Sequence, residues 1–312
     1  MKDKRRTIMT GTNGERNTNY KKMAFFSVTL AAFFWGIIGI FAKELTAFGF
    51  APLQIVFIRA IGAFVTLILF LSIKDTRLLK INPRDSGYFA GTGIISFVFF
   101  NWCYFNAINK TSLAVAAILL YTAPAIVMVL SVILFKEKMT RKKVISLVLT
   151  FVGCIFVTAF VQGTGQEVTV TGILAGLGSG FGYALYSIFG RYALRKYDPM
   201  TVTLYTFIFA SIALVPITDI KGMIGLFSNA NAIYYAVALS LLSTVLPFLL
   251  YTKGLVYLDT GKASIIAMLE PIVAAIVGIT LYSEPVTLFK VSGIVIVIFA
   301  ISILKEKNES MQ

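Results

Sequence analysis

The chain has 312 residues, of which 58% are hydrophobic and 13% are charged. Soluble domains contain roughly 45–50% apolar and about 25% charged residues, so this composition excludes an ordinary soluble protein and indicates an integral membrane protein. The formal net charge of +14 would suggest a nucleic-acid partner in a soluble chain, but in a membrane protein it first raises the question of which side holds the Lys and Arg residues.

Ten apolar runs follow a polar, basic stretch, residues 1–22, which we predict to be a disordered cytoplasmic tail. Each run is close to the roughly 20 residues that cross a hydrocarbon core of about 30 Å. Because an open structure satisfies its backbone in lipid only as helices, we predict an all-α membrane protein ending in a cytoplasmic tail, 305–312. The predicted transmembrane helices are 23–42, 52–73, 87–108, 113–135, 144–161, 170–190, 200–217, 232–252, 261–282 and 288–304.

Lys and Arg residues are distributed unevenly between the two sides of this arrangement. With the N-terminus inside, the cytoplasmic segments hold 23 of the 28 basic residues, the outer loops hold four, and Arg59 lies within a helix. Cytoplasmic loops carry an excess of Lys and Arg. The asymmetry therefore predicts a multi-pass protein of the inner (cytoplasmic) membrane with both termini in the cytoplasm.

The sequence around Pro271 repeats the sequence around Pro124. With a shift of 147 positions (271 − 124), eight residues of 113–144 are identical to residues of 260–291. Matches of Leu or Ile carry little weight in apolar helices, but Pro, Glu, Thr and Lys in register indicate an internal duplication. The acidic pair in register is Glu137 with Glu284.

The duplication predicts two five-helix repeats, 23–161 and 170–304. Since five is an odd number, the second repeat must be inverted in the membrane relative to the first. Inverted repeats are typical of secondary transporters, which bind substrate near the midplane between the halves and work by alternating access.

Several motifs resemble a known family over about residues 23–304. Each half closes on P-x(12)-E-x-x-T, followed by a helix with small residues seven apart. This arrangement is similar to the EamA-type transporters of the drug/metabolite transporter superfamily. The second half departs from the pattern, since it has Tyr183 in the place equivalent to Trp35 and no equivalent of Arg59. The other residues that carry the resemblance are Gly36, Lys43, Ser146, Gly153, Gly293, Ala300 and the LEP sequence at 269–271.

The resemblance implies a bacterial inner-membrane carrier for small metabolites, most often an exporter of amino acids or related compounds. It also implies a cavity bounded by helices 1, 3, 4, 6, 8 and 9. Its partners would be a small-molecule substrate and membrane lipids, with no nucleic acid. The cargo, the coupling ion and the oligomeric state are left open.

Two ionisable residues fall deep within predicted helices, where a charge costs about 2.5–3.5 kcal/mol on insertion scales. At 1.5 Å per residue, Glu270 lies roughly 14 Å from the inner end of its helix and Arg59 roughly 10 Å from the outer end of its own. These depths allow an ion pair if the two helices are neighbours. For Arg59 a structural role is favoured. For Glu270 two roles are equally favoured: a structural group, or a binding group for cationic cargo or a proton.

Aromatic and amide side chains within the helices offer polar tips on apolar bodies and suit a cavity for an amphipathic cargo. Pro124 and Pro271 indicate either broken helices that expose backbone groups or kinked packing helices. We assign structural or ion-pair roles to these prolines and to Arg59, Glu137 and Glu284. The predicted substrate-binding residues are Trp35, Asn101, Tyr104, Tyr121, Tyr183, Tyr251 and Glu270.

Enzyme and ATPase functions have little support. The chain contains no His, which removes the usual catalytic triads and His-based zinc motifs. Its glycines do not form a phosphate loop, and Cys103 and Cys154 lie in apolar runs as packing residues. We therefore predict no enzyme activity, no cofactor and no metal site. The alternatives to a transporter are a lipid flippase and a membrane scaffold without substrate flux.

Overall fold

The computed structural model describes residues 13–158 and 168–305. Within these ranges the chain is helical and contains no strand. Eight of its helices are long and apolar enough to cross a membrane. The predictions made for residues 1–12, 159–167 and 306–312 lie outside the described residues.

Within the described ranges, ten long helical segments build the bundle, and the short helix Ile220–Leu226 lies between the seventh and the eighth. Two segments are not among the eight: α5 begins with three basic residues, and α10 has only 16 residues. The segments are α1 (Asn13–Gly36 and Ile38–Ala47), α2 (Pro52–Lys74), α3 (Pro83–Lys110), α4 (Leu113–Phe135), α5 (Arg141–Thr158), α6 (Val170–Ala193), α7 (Pro199–Ile217), α8 (Ala230–Tyr257), α9 (Thr260–Tyr282) and α10 (Leu288–Ile303).

The first helix starts earlier than the apolar pattern predicts. It begins at Asn13, so residues 13–22, which we expected to belong to a disordered tail, are helical. Extending an existing helix fixes one residue for each new hydrogen bond, whereas starting a helix is costly. The membrane helix therefore continues into a polar stretch that could not have formed a helix by itself.

The duplication is visible as matching interruptions in α4 and α9. The first lies at Tyr121–Thr122 and the second at Met268–Leu269, again 147 positions apart. Each is a tight turn, because Thr122 N donates to a carbonyl three residues earlier at 3.2 Å and Leu269 N does the same at 3.1 Å. Both helices are thus kinked rather than unwound over a longer segment.

Pro124 and Pro271 follow these turns, each as the second residue of the second helical segment. Proline is tolerated there because the first amides of a helix have no partner within the helix. The prolines therefore mark the same kink in both halves.

The ends of α4 and α9 also repeat. Lys136 and Ser283 adopt left-handed backbone conformations, with φ of 55° and 53°. The next amide bonds back to the carbonyl six residues earlier, at 3.3 Å for Glu137 and 3.0 Å for Glu284. A residue in the left-handed conformation is a common way to end a helix. The repeated motif therefore encodes a defined helix stop as well as an apolar run.

The repeated Thr and Lys residues begin the helix that follows each stop. The Thr140 and Thr287 hydroxyls accept hydrogen bonds from the amides of Lys143 and Lys290, at 3.3 and 3.2 Å. A Thr in this position satisfies one of the free amides of the first turn. The identities that indicated the duplication are thus explained by local backbone chemistry.

The equivalent helices α5 and α10 pack against each other in antiparallel orientation. A Cβ on Gly153 would lie 2.6 Å from a Val297 methyl group, and a Cβ on Gly293 would lie 2.8 Å from a Val157 methyl group. The Phe156 ring lies 5.7 Å from that of Phe289. As residue numbers rise along α5, those of its contacts on α10 fall.

The interruption of α1 touches that of α9. A Cβ on Gly36 would lie 2.7 Å from the carbonyl oxygen of Glu270 and would overlap Val273. Small residues allow helix backbones to approach this closely in membranes. Gly36 therefore fixes the contact at which α1 supports the kink of α9.

We expect Gly36→Ala to lower the thermal unfolding midpoint of the purified protein, because overpacking costs about 1–3 kcal/mol. Gly39→Ala, also in α1, is the matched control, since a Cβ there would meet no atom within 4 Å apart from nearby backbone of its own helix. The control should be neutral or stabilising because Ala is favoured over Gly in helices by about 1 kcal/mol. Equal midpoints for both variants, measured by thermal denaturation in detergent, would contradict this packing.

Candidate functional site

A cavity of about 350 Å³ lies among seven of the helices. It is bounded by all six helices that the family resemblance implies and by α2 in addition. Pockets for small molecules span about 300–1,000 Å³, so this cavity has room for one small ligand. The seven predicted substrate-binding residues, Trp35, Asn101, Tyr104, Tyr121, Tyr183, Tyr251 and Glu270, all line it, as does Arg59.

The cavity extends from the middle of the bundle to one end. Ala42 and Thr46, near the end of α1, and Pro52, at the start of α2, belong to its wall. The end of α9 lies at the same end of the bundle, because the Lys43 ammonium is 3.5 Å from the ring centre of Tyr282. The start of α9 and the end of α4 lie at the opposite end.

Glu270 is the first residue of the second segment of α9. A helix N-terminus stabilises a carboxylate through its partial positive charge and its free amides. Tyr104, Tyr121 and Tyr183 lie close enough to Glu270 to interact electrostatically with it. The buried Tyr183 hydroxyl is adjacent to the carboxylate but forms no hydrogen bond of good geometry. The Tyr183 hydroxyl is therefore positioned to interact with the Glu270 carboxylate.

Arg59 enters the cavity wall from α2 and is 9% exposed. Its Nε donates to the Thr244 hydroxyl at 3.3 Å, and that hydroxyl donates to the Leu239 carbonyl at 3.1 Å. Its guanidinium carbon lies 5.3 Å from the ring centre of Phe97, within the range of cation–π attraction. Groups of α8 and α3 thus take the place of water around the Arg59 charge.

Arg59 and Glu270 line the same cavity, but no salt bridge joins them among the described residues. Their depths along the sequence allowed a direct pair, but in the structure Arg59 is hydrogen-bonded to Thr244 and Glu270 lies at a helix N-terminus. In one small cavity, a carboxylate can bind a cationic group of a ligand while a guanidinium binds an anionic group of the same ligand.

One wide helical turn lines the cavity, and a second contacts Arg59 in the cavity wall. Gly91–Val98 in α3 and Leu241–Val245 in α8 are π-helical, and their last residues are again 147 positions apart. Asn101 Nδ2 donates to the Phe97 carbonyl at 2.7 Å, and Thr244 supports Arg59 from the second turn. Such turns occur frequently at functional sites. Sequence periodicity did not reveal them because one extra residue in a turn leaves an apolar run apolar.

Hydrogen bonds between hydroxyl groups close the inner part of the cavity. The Tyr251 hydroxyl is hydrogen-bonded with Ser187 and that of Tyr186 with Thr252, each at 2.7 Å. The Trp35 ring lies 5.3 Å from the Tyr251 ring. Tyr251 therefore lines the cavity with a hydroxyl that is already hydrogen-bonded to Ser187.

Sequence reasoning missed part of the wall. The helix list implied by the resemblance omits α2, which supplies Ile55 and Val56 beside Arg59. Ser96 and Ser187 also line the cavity. Small polar residues in an apolar helix were the available signal, but they do not show which face of the helix they occupy.

The remaining predicted structural residues lie outside the cavity wall. Glu137 and Glu284 follow α4 and α9, at opposite ends of the bundle. The Lys143 ammonium lies 4.0 Å from the Glu137 carboxylate, and the Lys290 ammonium lies 2.7 Å from that of Glu284. Both acidic residues are thus held by the lysine of their own repeat.

Comparison with known proteins identifies the family. The sequence model of the EamA-like transporter family matches twice, at residues 22–159 and 170–305. The chain therefore belongs to the EamA-like transporter family, which confirms the resemblance seen in its motifs. It is an integral, multi-pass membrane protein of a family of transporters.

Several relatives are similar over most of their length. A protein of Archaeoglobus fulgidus named an uncharacterized transporter is 28% identical over 267 residues, which cover 86% of this chain and 90% of the relative. The uncharacterized transporter YxxF of Bacillus subtilis is 25% identical over 288 residues, which cover 90% of this chain and 89% of the relative.

A solved structure, described only as the crystal structure of a protein, has the same fold. It superposes with a TM-score of 0.75 and 15% identity, covering 90% of this chain and 95% of that one.

We expect Thr244→Val to lower the unfolding midpoint because it removes the hydroxyl that accepts from Arg59. Leaving a buried polar group unsatisfied costs about 1–3 kcal/mol, and more for a charged group. Thr280→Val is the control, since the Thr280 hydroxyl is exposed and bonds only to Ile276 of its own helix. Thermal denaturation of both variants tests the role of Thr244. An equal, small effect would show that Arg59 does not depend on it.

Proposed function

We propose that this protein is a secondary transporter of small amphipathic metabolites, with amino acids and related compounds as the expected cargo. The observation that carries the proposal is the cavity itself, which combines Glu270, Arg59 and aromatic side chains in a space of about 350 Å³. The family supplies the transporter class, and the cavity supplies the chemistry of the cargo.

The polar groups of the cavity are complementary to a zwitterion. A carboxylate at Glu270 attracts an ammonium group, and the guanidinium of Arg59 binds a carboxylate through directed, charge-assisted hydrogen bonds. Trp35 and Phe248 provide apolar and aromatic surface for a side chain. A ligand with an amino group, a carboxylate and an apolar part uses all three features.

We further propose ten membrane crossings in two inverted halves, with both termini in the cytoplasm. The antiparallel packing of the equivalent helices α5 and α10 supports the inversion. A separate surface pocket lies at the end of the bundle opposite the cavity mouth. Its lining includes four basic residues, Lys136, Lys138, Arg191 and Arg195. By the positive-inside rule this end is cytoplasmic, so the cavity in this structure faces outward.

Alternating access then moves the cargo across the cytoplasmic membrane as the two halves rock against each other. Export is the proposed direction, on the ground that the resemblance implies exporters. Glu270 is the residue that distinguishes the two halves, since Ala123 occupies the equivalent position in the first.

Reconstitution into liposomes tests the proposal. Purified protein should produce saturable counterflow of at least one labelled amino acid or related small zwitterion from a broad panel. Correct folding is checked by a single cooperative unfolding transition. Absence of flux for the whole panel would contradict the proposal, and scrambling of labelled phospholipid without metabolite flux would favour a flippase.

We expect Glu270→Gln to reduce saturable flux at least tenfold or to change its pH dependence, because the amide cannot attract an ammonium group or exchange a proton. The unfolding midpoint should change little. Glu44→Gln is the control, since Glu44 does not line the cavity. Flux and a pH profile like those of the unmodified protein would assign Glu270 a structural role.

A further inference from the structure

The two ends of the bundle are closed by different means, although the sequence motifs at both ends are the same. At the cytoplasmic end, the Glu137 carboxylate accepts hydrogen bonds from Thr260 N at 2.8 Å and from Gly261 N at 3.3 Å. These are the first two amides of α9. The Lys143 ammonium adds an ion pair with Asp259 at 2.8 Å. The end of α4 is therefore joined to the start of α9.

The equivalent contact is absent between the described residues at the other end. Under the shift of 147, Glu284 corresponds to Glu137, and Leu113 and Ala114 correspond to Thr260 and Gly261. Glu284 instead pairs with Lys290 of its own repeat at 2.7 Å, and its side chain is 47% exposed. The Glu137 side chain is only 7% exposed.

Burial of the two equivalent helix segments follows the same asymmetry. All eight residues of Thr260–Ala267 are buried. In Leu113–Leu120 only Ala116, Ala117 and Leu120 are buried. Thr260–Ala267 is thus enclosed by the bundle, whereas most of Leu113–Leu120 is not buried.

We propose that Glu137 and Glu284 are alternate latches for the two gates of the transporter. In the outward-facing state described above, Glu137 binds the first amides of α9 and holds the cytoplasmic gate shut. In the inward-facing state, Glu137 releases α9, and Glu284 binds the amides of Leu113 and Ala114 at the start of α4. This inference rests on the proposed alternating-access function.

The physical basis is the free amides and positive end of a helix N-terminus. The first amides of a helix have no partner within it, and a carboxylate there gains charge-assisted hydrogen bonds. One such contact is made in this structure, and the duplicated sequence provides the acid and the helix start for a second. Since the halves are related by duplication, an exchange of conformations between them forms one contact as it breaks the other.

Accessibility of a cavity residue reports the balance of states without requiring a known substrate. Ser96 lines the cavity near mid-helix, and Ser96→Cys is a small change. The native cysteines, Cys103 and Cys154, are 3% and 0% exposed, so matching variants without the reporter provide the background. Reaction with a charged, membrane-impermeant methanethiosulfonate is followed in inside-out and right-side-out vesicles.

We expect Glu137→Gln to raise the reaction rate from the cytoplasmic side about tenfold, the scale of one lost charge-assisted hydrogen bond. Asp259→Asn should shift the rate in the same direction, which covers the case that Glu137→Gln folds poorly. Adding Glu284→Gln to Glu137→Gln should return the rate towards that of the unmodified protein, because the competing latch is also lost. Asp75→Asn, in the exposed pair with Arg77, is the control and should have no effect.

A rate unchanged by Glu137→Gln and by Asp259→Asn, or a double variant more accessible than Glu137→Gln alone, would overturn the latch model. The same preparations are assayed for amino-acid counterflow. Flux in the unmodified protein without these accessibility shifts refutes the latches and leaves the transport proposal standing. Shifts as expected without any flux support the two gate states and refute the proposed cargo.

Discussion

In hydrocarbon, an ionisable side chain is stable only where protein, water or a ligand replaces its hydration. Arg59 and Glu270 meet this constraint separately. Thr244 and Phe97 support the guanidinium, while the carboxylate belongs to the first residue of a helical segment, at its positive end. Because the two charges do not pair directly, they remain available to a ligand. The cavity that contains both charges is the central feature of an otherwise apolar bundle.

The two repeats together form this cavity, but the residues that line it are not symmetric between the repeats. Kinks, left-handed helix stops and π-helical turns recur at a shift of 147 residues. The charged groups do not recur, since Arg59 belongs to α2 alone and Glu270 has Ala123 as its counterpart. In the proposed function, the repeats provide a common scaffold for movement, and residues that differ between them provide recognition. The difference between the two ends of the bundle is consistent with the outward-facing state of the proposed transport cycle.

Much of this organisation could be predicted from the sequence because it depends on local chemistry. Apolar length identified the helices, and the repeated Pro, Glu, Thr and Lys identified the duplication. Polar side chains inside apolar runs identified the cavity lining, since such groups are costly unless they face a polar space. All seven predicted binding residues accordingly line one cavity.

What could not be predicted depends on contacts between distant helices. The helix extension from Asn13 arises because a membrane helix supports its own continuation into water. Three further features depend on which helices are neighbours, and the sequence does not give this. They are the part of the cavity wall formed by α2, the hydrogen-bond partner of Tyr251 and the capping of α9 by Glu137. The question whether Arg59 pairs with Glu270 was of the same kind, since depth along two helices does not give the distance between them.

Ligand binding in the cavity is the most direct test of this account. The chain has two Trp residues: Trp35 is 7% exposed in the cavity wall, and Trp102 is 55% exposed. In the Trp102→Phe variant, Trp35 fluorescence should change saturably with a small zwitterionic amino acid, and the added Glu270→Gln substitution should weaken that binding at least tenfold. Equal affinity with and without the Glu270 carboxylate, or saturable flux of such a cargo without any change at Trp35, would contradict the account.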